Sequence, residues 1–295
     1  MKAKWLLDQY MVEHNEQNLP ELLRKEGFEV KVGQYDRFAS NPPFLFSPED
    51  CVIVYGSMEF VRLYQKAPYI PGVYFQEKAM ECTTYISNIE KTGLLLNENH
   101  VFATFGELIR RKDFFYNAFE TNQLFIRPNS GRKVFTGFSL NKKEFDKEIS
   151  ALSQLTSVMP ETLILIAPSQ EILEEYRLII VNRQVITGSQ YQRNGNIELS
   201  SKIPQEVEEM AYQIANTPWQ PDIAYVCDIA LTHKGPRVIE LNAMSTSGLY
   251  LSDISKWSHA LNQAAISEYH GDLTLGDLAP PQDIIVSKTS PKMHY

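Results

Sequence analysis

Residues 222–250, DIAYVCDIALTHKGPRVIELNAMSTSGLY, predict the centre of the fold. The apolar run 223–232 predicts a strand, residues 233–235 a tight turn, and residues 237–241 a second strand. A polar loop of small residues then leads into a predicted helix near Ser252. The stretch therefore predicts a β-hairpin followed by a loop and a helix.

Two acids and an amide are predicted to share one face of this hairpin. Glu240 and Asn242 are two residues apart in a strand and so point to the same side. A turn with an odd number of residues centred on Lys234 places Asp228 opposite Glu240, with their Cβ atoms about 4.5–5.5 Å apart. Carboxylates at that separation repel one another unless a cation holds them, so Glu240→Gln is expected to leave the fold intact.

Hard oxygen ligands of this kind suit magnesium, which usually takes one or two carboxylates and completes its shell with phosphate and water. Each acid alone also has a simpler explanation, as a solvated strand edge or as a cap for the next helix. The apolar residues around them predict buried strands, and a buried acid needs a partner. These neighbours are Val226, Ile229, Val238 and Ile239.

Composition predicts an ordinary soluble globular protein. The chain is 43% hydrophobic and 22% charged. Its 295 residues are enough for one large domain or for two closely packed domains. A net charge of −8 argues against nucleic-acid or anionic-membrane partners, which need a basic face. Neither a membrane span nor a signal-peptide core is evident. The cysteines Cys51, Cys82 and Cys227 are odd in number and far apart, which fits buried thiols in a reducing cytoplasm, so we expect a cytoplasmic protein.

The first part of the chain alternates strand and helix patterns, which predicts a small sheet with a parallel component. The predicted strands are residues 4–10, 28–34 and 51–56, and the predicted helices are 19–25, 59–66 and 105–119. We place the end of this N-terminal lobe near Asn99.

The second part is richer in strands. Residues 124–128 and 134–138 predict a hairpin whose basic turn, 129–133, could lie over a polyphosphate. A plain surface hairpin with solvated Arg132 and Lys133 is the alternative. A capping box at 141–144 predicts the start of a helix that runs to about 156. Further predicted elements are strands 162–167, 171–181 and 184–191, with a turn at Asn182 and Arg183 between the last two, and helices 204–216 and 252–265, with an irregular tail from Pro280.

Arg177 lies in an apolar strand, among Tyr176, Leu178 and Ile179. A long cation in such a place is either paired with a carboxylate, such as Glu175, or directed at an anionic ligand. The sequence leaves both readings open.

Four segments carry a resemblance to a known superfamily. They are LFIRPNSGRKVFTG at 124–137, IAPSQEILEEYRLII at 166–180, VITGSQY at 185–191, and VCDIA with VIELNAMSTSGLY ending at Tyr250. In this order they resemble the ATP-grasp superfamily, most closely its branch named for two arginines and a lysine. YGS at 55–57 resembles the N-terminal lobe of that branch. The resemblance implies an α/β (α+β) fold, with an α/β lobe over residues 1–99 and an ATP-grasp domain over 100–295 whose two subdomains grip the nucleotide.

The resemblance also implies how ATP is bound. Arg127 takes the place of the phosphate-binding lysine of many ATP-grasp enzymes, and Lys133 is the second cation of the hairpin. Backbone groups of Ile166 and Ala167 would contact adenine. The ribose partner would be Glu171 or Glu174. Arginine in place of lysine at position 127 still neutralises phosphate but leaves the nucleotide geometry open.

By the same resemblance, Arg177, Arg127 and Lys133 are catalytic cations. They would stabilise the negative charge that develops on the phosphoryl group during its transfer. Asp228, Glu240 and Asn242 resemble magnesium ligands, with manganese as the alternative metal. The hairpin over 124–138 is the expected lid that keeps water from a reactive intermediate.

The implied function is an ATP-dependent carboxylate–amine ligase. ATP would activate a small carboxylate as an acyl phosphate, and an amine acceptor would displace phosphate. An amino acid, a peptide or a protein end could serve as acceptor. The alternatives are a kinase that releases a stable phosphorylated product and a nucleotide-binding module without catalysis. The identity of both substrates and the oligomeric state stay open.

The loop residues Ser245, Ser247 and Gly248 are predicted to bind substrate. They precede a predicted helix, so their hydroxyls and amides could receive an anionic group at its N-terminus. The alternative is that they only cap that helix.

Overall fold

The computed structural model describes residues 1–16, 18–131 and 134–278. Its strands form three sheets, two of four strands and one of five. With the helices around them they give the mixed α/β class that the sequence predicts.

The N-terminal sheet is parallel, in the order β2-β1-β3-β4. Its strands are β1 (Lys4–Asp8), β2 (Val30–Gly33), β3 (Cys51–Tyr55) and β4 (Ile70–Gly72), and the helices are α1 (Gln9–His14), α2 (Leu19–Lys25), α3 (Met58–Tyr64) and α4 (Cys82–Ile89). The first strand is shorter than predicted because Asp8 caps α1 by accepting a hydrogen bond from the Tyr10 amide. The helix α4 was not predicted.

The second sheet has the order β5-β8-β6-β7. Its strands are β5 (Val101–Thr104), β6 (Gln123–Pro128), β7 (Phe138–Asn141) and β8 (Leu163–Pro168), and its helices are α5 (Phe105–Arg110), α6 (Lys112–Ala118) and α7 (Phe145–Leu155). The single helix predicted over 105–119 is wrong, since the chain leaves helical geometry at Arg111 with φ −125° and ψ 29°.

Two further predictions in this sheet are wrong. The returning strand lies at Phe138–Asn141 rather than at 134–138, because pairing with β6 begins at Phe138 opposite Ile126. The predicted capping box does not form. Asn141 belongs to β7 instead, and the helix begins after Glu144 without a side-chain cap.

The third sheet is antiparallel, in the order β11-β10-β9-β12-β13. Its strands are β9 (Glu174–Val181), β10 (Gln184–Arg193), β11 (Asn196–Ser200), β12 (Ala224–Thr232) and β13 (Gly235–Ala243), followed or flanked by α8 (Gln205–Ala215) and α9 (Ile254–His270). The predicted turn at Asn182 and Arg183 is confirmed, with φ of 46° and 61° that suit a two-residue hairpin. The predicted irregular tail from Pro280 lies outside the described residues.

The β12–β13 hairpin aligns Asp228 with Glu240, as predicted, but for a different reason. Thr232 pairs with Gly235, so the turn contains two residues and not an odd number. A bulge next to Asp228 inserts one residue into β13 and shifts the register back. The bulge therefore places the two carboxylates opposite each other.

The helix α9 joins the N-terminal sheet to the five-stranded sheet. Trp257 is fully buried and lies 4.8 Å from Trp5 and 5.4 Å from Tyr55, measured between ring centroids. Leu95 forms a bridge with Val238 of β13. The two parts of the chain thus share one core, and a boundary near Asn99 stays a prediction. Within the described ranges, no helix is long and apolar enough to cross a membrane.

Candidate functional site

A cavity of about 500 Å³ lies between the second and third sheets. We call it the first cavity. Charged and aromatic side chains from five strands line it: Arg127 of β6, Glu175 and Arg177 of β9, Tyr191 of β10, Asp228 of β12 and Glu240 of β13. Arg177, Asp228 and Glu240 lie side by side on one face of the third sheet because they are direct cross-strand partners.

Arg177 and Asp228 form a two-pronged ion pair. The Arg177 Nε donates to Asp228 Oδ1 at 2.9 Å, and Nη2 donates to Oδ2 at 2.8 Å. Asn242 Nδ2 also donates to Asp228 Oδ2, at 3.0 Å. Burial alone lowers the pKa of Arg177, but the Asp228 carboxylate outweighs it, so the pKa lies above its ordinary value. The partner of Arg177 is therefore Asp228, and not Glu175.

Arg127 and Glu240 form a second ion pair, which spans the first cavity from β6 to β13. Their side chains are only 14% and 15% exposed. Burial lowers the pKa of Arg127, and Glu240 raises it by more, so the guanidinium stays charged. This pair contradicts the expectation that Asp228 and Glu240 repel each other with no cation bound. Each carboxylate already has an arginine.

An aromatic stack covers the outer side of Arg177. Tyr191 and Tyr250 are stacked with ring centroids 5.1 Å apart, and the Arg177 guanidinium carbon lies 5.1 Å from the Tyr250 centroid. The Tyr191 hydroxyl donates to Glu175 Oε2 at 2.5 Å. Burial raises the pKa of Glu175 despite this hydrogen bond. Sequence reasoning did not place Tyr191, Tyr250 or Glu175 in the site, although Glu175 shares a strand face with Arg177.

The donor set fits magnesium that is held jointly with a polyphosphate. Asp228 and Glu240 are cross-strand neighbours, and Asn242 follows on the same face, so hard oxygen ligands converge there. Within residues 1–16, 18–131 and 134–278, no group of three or more His, Cys, Asp or Glu side chains is arranged to hold a metal ion by itself. Phosphate oxygens would have to complete the shell. The three metal ligands remain a prediction.

Other residues predicted to bind nucleotide lie elsewhere. Ile166 and Ala167 are fully buried in β8, where both pair with β6, and neither lines the first cavity. The cavity is lined instead by the residues just after this strand, Ser169, Gln170 and Ile172.

The two predicted ribose partners also lie away from the first cavity. Glu171 is exposed, with a carboxylate oxygen 3.8 Å from His233 Nε2. Glu174 accepts a hydrogen bond from Tyr176 and forms an ion pair with Arg193 at 3.1 Å. Glu175 is the neighbouring carboxylate that faces the first cavity.

The loop residues proposed for substrate do not lie at a helix N-terminus. The helix α9 begins at Ile254 and is capped by Asp253, so the three loop residues neither lie at its N-terminus nor cap it. The Ser245 hydroxyl donates to the Val54 carbonyl at 2.8 Å, and the Ser247 hydroxyl donates to the Ala243 carbonyl at 2.8 Å. The Gly248 carbonyl accepts from Arg177 Nη1 at 3.2 Å. Their role in substrate binding therefore remains a prediction without the helix N-terminus that motivated it.

Lys133, predicted to be the second cation of the hairpin, lies outside the described residues, as does Arg132. The neighbouring residues Ser130 and Phe135 to Ser139 do line the first cavity. The hairpin that carries Lys133 therefore borders the site.

Two sheets enclose a cavity with fixed cations and carboxylates, which is the arrangement that the resemblance to the ATP-grasp superfamily implies. The family model described as "ATP-grasp domain, R2K clade family 2" matches residues 104–259. The chain belongs to this family, which confirms the resemblance carried by the sequence motifs.

Solved structures show the same fold. D-cycloserine synthetase DcsG superposes with a TM-score of 0.62 at 12% identity, covering 89% of this chain and 100% of that chain. D-alanyl-alanine synthetase A from Vibrio cholerae O1 biovar eltor gives 0.60 at 11% identity, covering 92% and 99%. The ATP-grasp ligase PsnB, in complex with minimal precursor, Mg and ADP, gives 0.54 at 17% identity, covering 90% and 98%. At these identities the likeness establishes the fold alone. No curated protein sequence matches the chain.

Proposed function

We propose that the protein is an ATP-dependent ligase that activates a carboxylate as an acyl phosphate and joins it to an amine, releasing ADP and phosphate. One observation carries the proposal. Arg127 of the second sheet and Glu240 of the third sheet pair across a cavity that is large enough for a nucleotide, and Arg177 and Asp228 pair beside them within the third sheet. Two solved structures with this fold support the proposal, since one is named a D-alanyl-alanine synthetase and the other an ATP-grasp ligase.

The paired charges fit the binding of a metal polyphosphate. Asp228, Glu240 and Asn242 would hold magnesium, or manganese, which would neutralise charge on the phosphates. Arg127 would donate to phosphate oxygens instead of to Glu240, because a planar guanidinium fork is well suited to phosphate. Arg177 would stay paired with Asp228 and use its remaining N–H groups. Binding would then exchange the Arg127–Glu240 ion pair for contacts to the phosphates and to the metal.

The nucleoside would lie towards β8 and β9. Ile172 and Gln170 would border the base, and Glu175 would accept hydrogen bonds from the ribose hydroxyls, because its carboxylate faces the first cavity. The predicted alternatives, Glu171 and Glu174, point elsewhere.

The two arginines would supply most of the catalytic electrostatics among the described residues. Charge on the transferred phosphoryl oxygens is stabilised by cations that are already fixed and desolvated. Both guanidiniums are buried and stay charged, so they meet that requirement. The β6–β7 hairpin, which carries Lys133, would exclude water from the acyl phosphate.

The products of ATP turnover test the proposal. The protein is incubated with ATP, magnesium and a panel of amino acids and small carboxylic acids, and nucleotides and phosphate are quantified by chromatography. We expect ADP and phosphate in equal amounts, dependent on the acid. AMP with pyrophosphate would contradict the acyl-phosphate route, and ADP without phosphate would favour a kinase.

A further inference from the structure

A second cavity, of about 130 Å³, lies where the N-terminal elements meet the end of β13. Side chains from both parts of the chain line it. Met58, Phe75, Glu77 and Met80 come from the N-terminal part, and Arg177, Asn242, Ala243, Thr246 and Ser247 come from the third sheet and the loop after it. None of the functional roles predicted from the sequence involves these four N-terminal residues.

Arg177 connects the two cavities. Among the described residues it is the one side chain that lines both. Its bonds to Asp228 and to the Gly248 carbonyl use three N–H groups, one on each nitrogen. A guanidinium has five N–H donors, so one on each terminal nitrogen is not used in these bonds. Arg177 can thus stay fixed and still bind an anionic group in the second cavity.

The second cavity is small and mostly apolar on one side. Ligand pockets for drug-sized molecules are about 300–1,000 Å³, and a water molecule takes a share of about 30 Å³. A volume of about 130 Å³ therefore admits only a few heavy atoms. Phe75 and Met80 are 5% and 6% exposed, so these walls are held by the core. The space suits a short alkyl side chain.

Glu77 supplies negative charge to the same cavity. It is the one carboxylate that lines it within the described part of the chain. Its Oε1 accepts a hydrogen bond from Arg62 Nη2 at 2.8 Å, and both side chains are more than a quarter exposed. A cation at Arg177 and an anion at Glu77 on one small cavity match a ligand that carries both charges.

We propose that the second cavity binds the carboxylate substrate and that this substrate is a small apolar α-amino acid. Its carboxylate faces Arg177, its ammonium faces Glu77, and its short side chain contacts Met58, Phe75 and Met80. The inference rests on the proposed ligase function. A carboxylate oxygen attacks the γ-phosphorus of ATP, the bond from that phosphorus to the bridging oxygen breaks, and ADP leaves with the electron pair.

Trapping the acyl phosphate with hydroxylamine allows the preference for substrates of different size to be measured. The hydroxylamine nitrogen attacks the acyl carbon and phosphate departs with a proton from that nitrogen, leaving a hydroxamate. Wild-type protein is expected to prefer alanine to leucine by at least about tenfold in kcat/KM, the scale on which a pocket discriminates added methylenes. Met58→Ala enlarges the cavity and should reduce this preference about tenfold. Met159→Ala, at a methionine that is 55% exposed, is the matched control and should leave it unchanged.

The charge of the substrate is tested at Glu77. Alanine should be preferred to propanoate in the wild type, and Glu77→Gln should abolish that preference. Arg62→Gln is the control, because it breaks the same ion pair and leaves the Glu77 charge in place. If both variants lost the preference equally, the effect would be structural and the ammonium assignment would be wrong.

A binding measurement separates failure of this inference from failure of the proposed function. Titration calorimetry with alanine, in the presence of ADP and magnesium, should show binding to the wild type and none to Met58→Trp, which fills the cavity. Hydroxamates that form equally from alanine and leucine, with no effect at Met58, would overturn the inference and leave the ligase reaction standing. Alanine binding that Met58→Trp blocks, without hydroxamate from any acid, would support the cavity and refute the ligase.

Discussion

Glu240→Gln tests two proposed roles of this carboxylate, one in stability and one in turnover. The substitution keeps the shape of the side chain and removes the charge opposite Arg127. Both side chains are about 85% buried, as their exposures of 14% and 15% show. Breaking a buried ion pair by removing one partner costs about 3–5 kcal/mol. Because glutamine can still accept a hydrogen bond from the guanidinium, we expect the low end, about 3 kcal/mol.

That loss is large enough to measure. In a chain of this size 1 kcal/mol corresponds to about 2–4 °C in Tm, so the variant should melt about 6–12 °C below the wild type in the absence of nucleotide. Turnover of ATP should fall by about a thousandfold, since several kcal/mol of transition-state stabilisation are lost with a metal ligand. The assays are thermal unfolding by circular dichroism and chromatography of ADP.

A double variant provides the control. Arg127→Met combined with Glu240→Gln removes both charges, so most of the lost stability should return while activity stays absent. An unchanged Tm in the single variant would refute the stabilising ion pair. Full activity in that variant would remove Glu240 from the proposed metal site.

Three further predictions concern the same molecule. Arg177→Ala should abolish turnover and Arg177→Lys should leave a small remnant, because a point charge cannot replace a planar fork; near-normal activity in a folded Arg177→Ala would make the residue purely structural. ATP and magnesium should raise Tm more together than the sum of their separate effects, and equal stabilisation by ATP with chelator would contradict a shared site. Burial raises the pKa of Asp222 from 3.8 to about 8, so the folded state holds a proton that the unfolded state releases, and unfolding free energy should fall as pH rises from about 4 to about 8. Asp222→Asn should flatten that fall and raise Tm at pH 8, and an unchanged pH profile of chemical unfolding would show that Asp222 does not cause it.

The sequence was sufficient for features that depend on neighbouring residues. Period-two patterns predicted the β12–β13 hairpin and the turn at Asn182 and Arg183, and alternating elements predicted the parallel N-terminal sheet. The alignment of Asp228 with Glu240 was predicted from a wrong turn length. The predicted alignment was right only because a bulge shifts the register by one residue. No residue type in β13 predicts that bulge.

Contacts between distant parts of the chain were beyond sequence reasoning. The partner of Glu240 comes from β6 in another sheet. Met58 and Phe75 line the same cavity as Arg177 because the N-terminal part of the chain packs against the third sheet. We propose Glu175, rather than Glu171 or Glu174, as the ribose partner because its strand face meets the first cavity. Arg177 lies on the same face and pairs with Asp228 of the neighbouring strand, a contact that the sequence did not predict.

Oxygen transfer tests the acyl-phosphate route most directly. Alanine labelled with ¹⁸O in its carboxylate is incubated with the protein, ATP, magnesium and hydroxylamine, and the phosphate released is analysed by mass spectrometry. The carboxylate oxygen that attacks the γ-phosphorus stays with the phosphate, so we expect one ¹⁸O atom in each phosphate formed. Phosphate without label, or label found in AMP, would contradict the account.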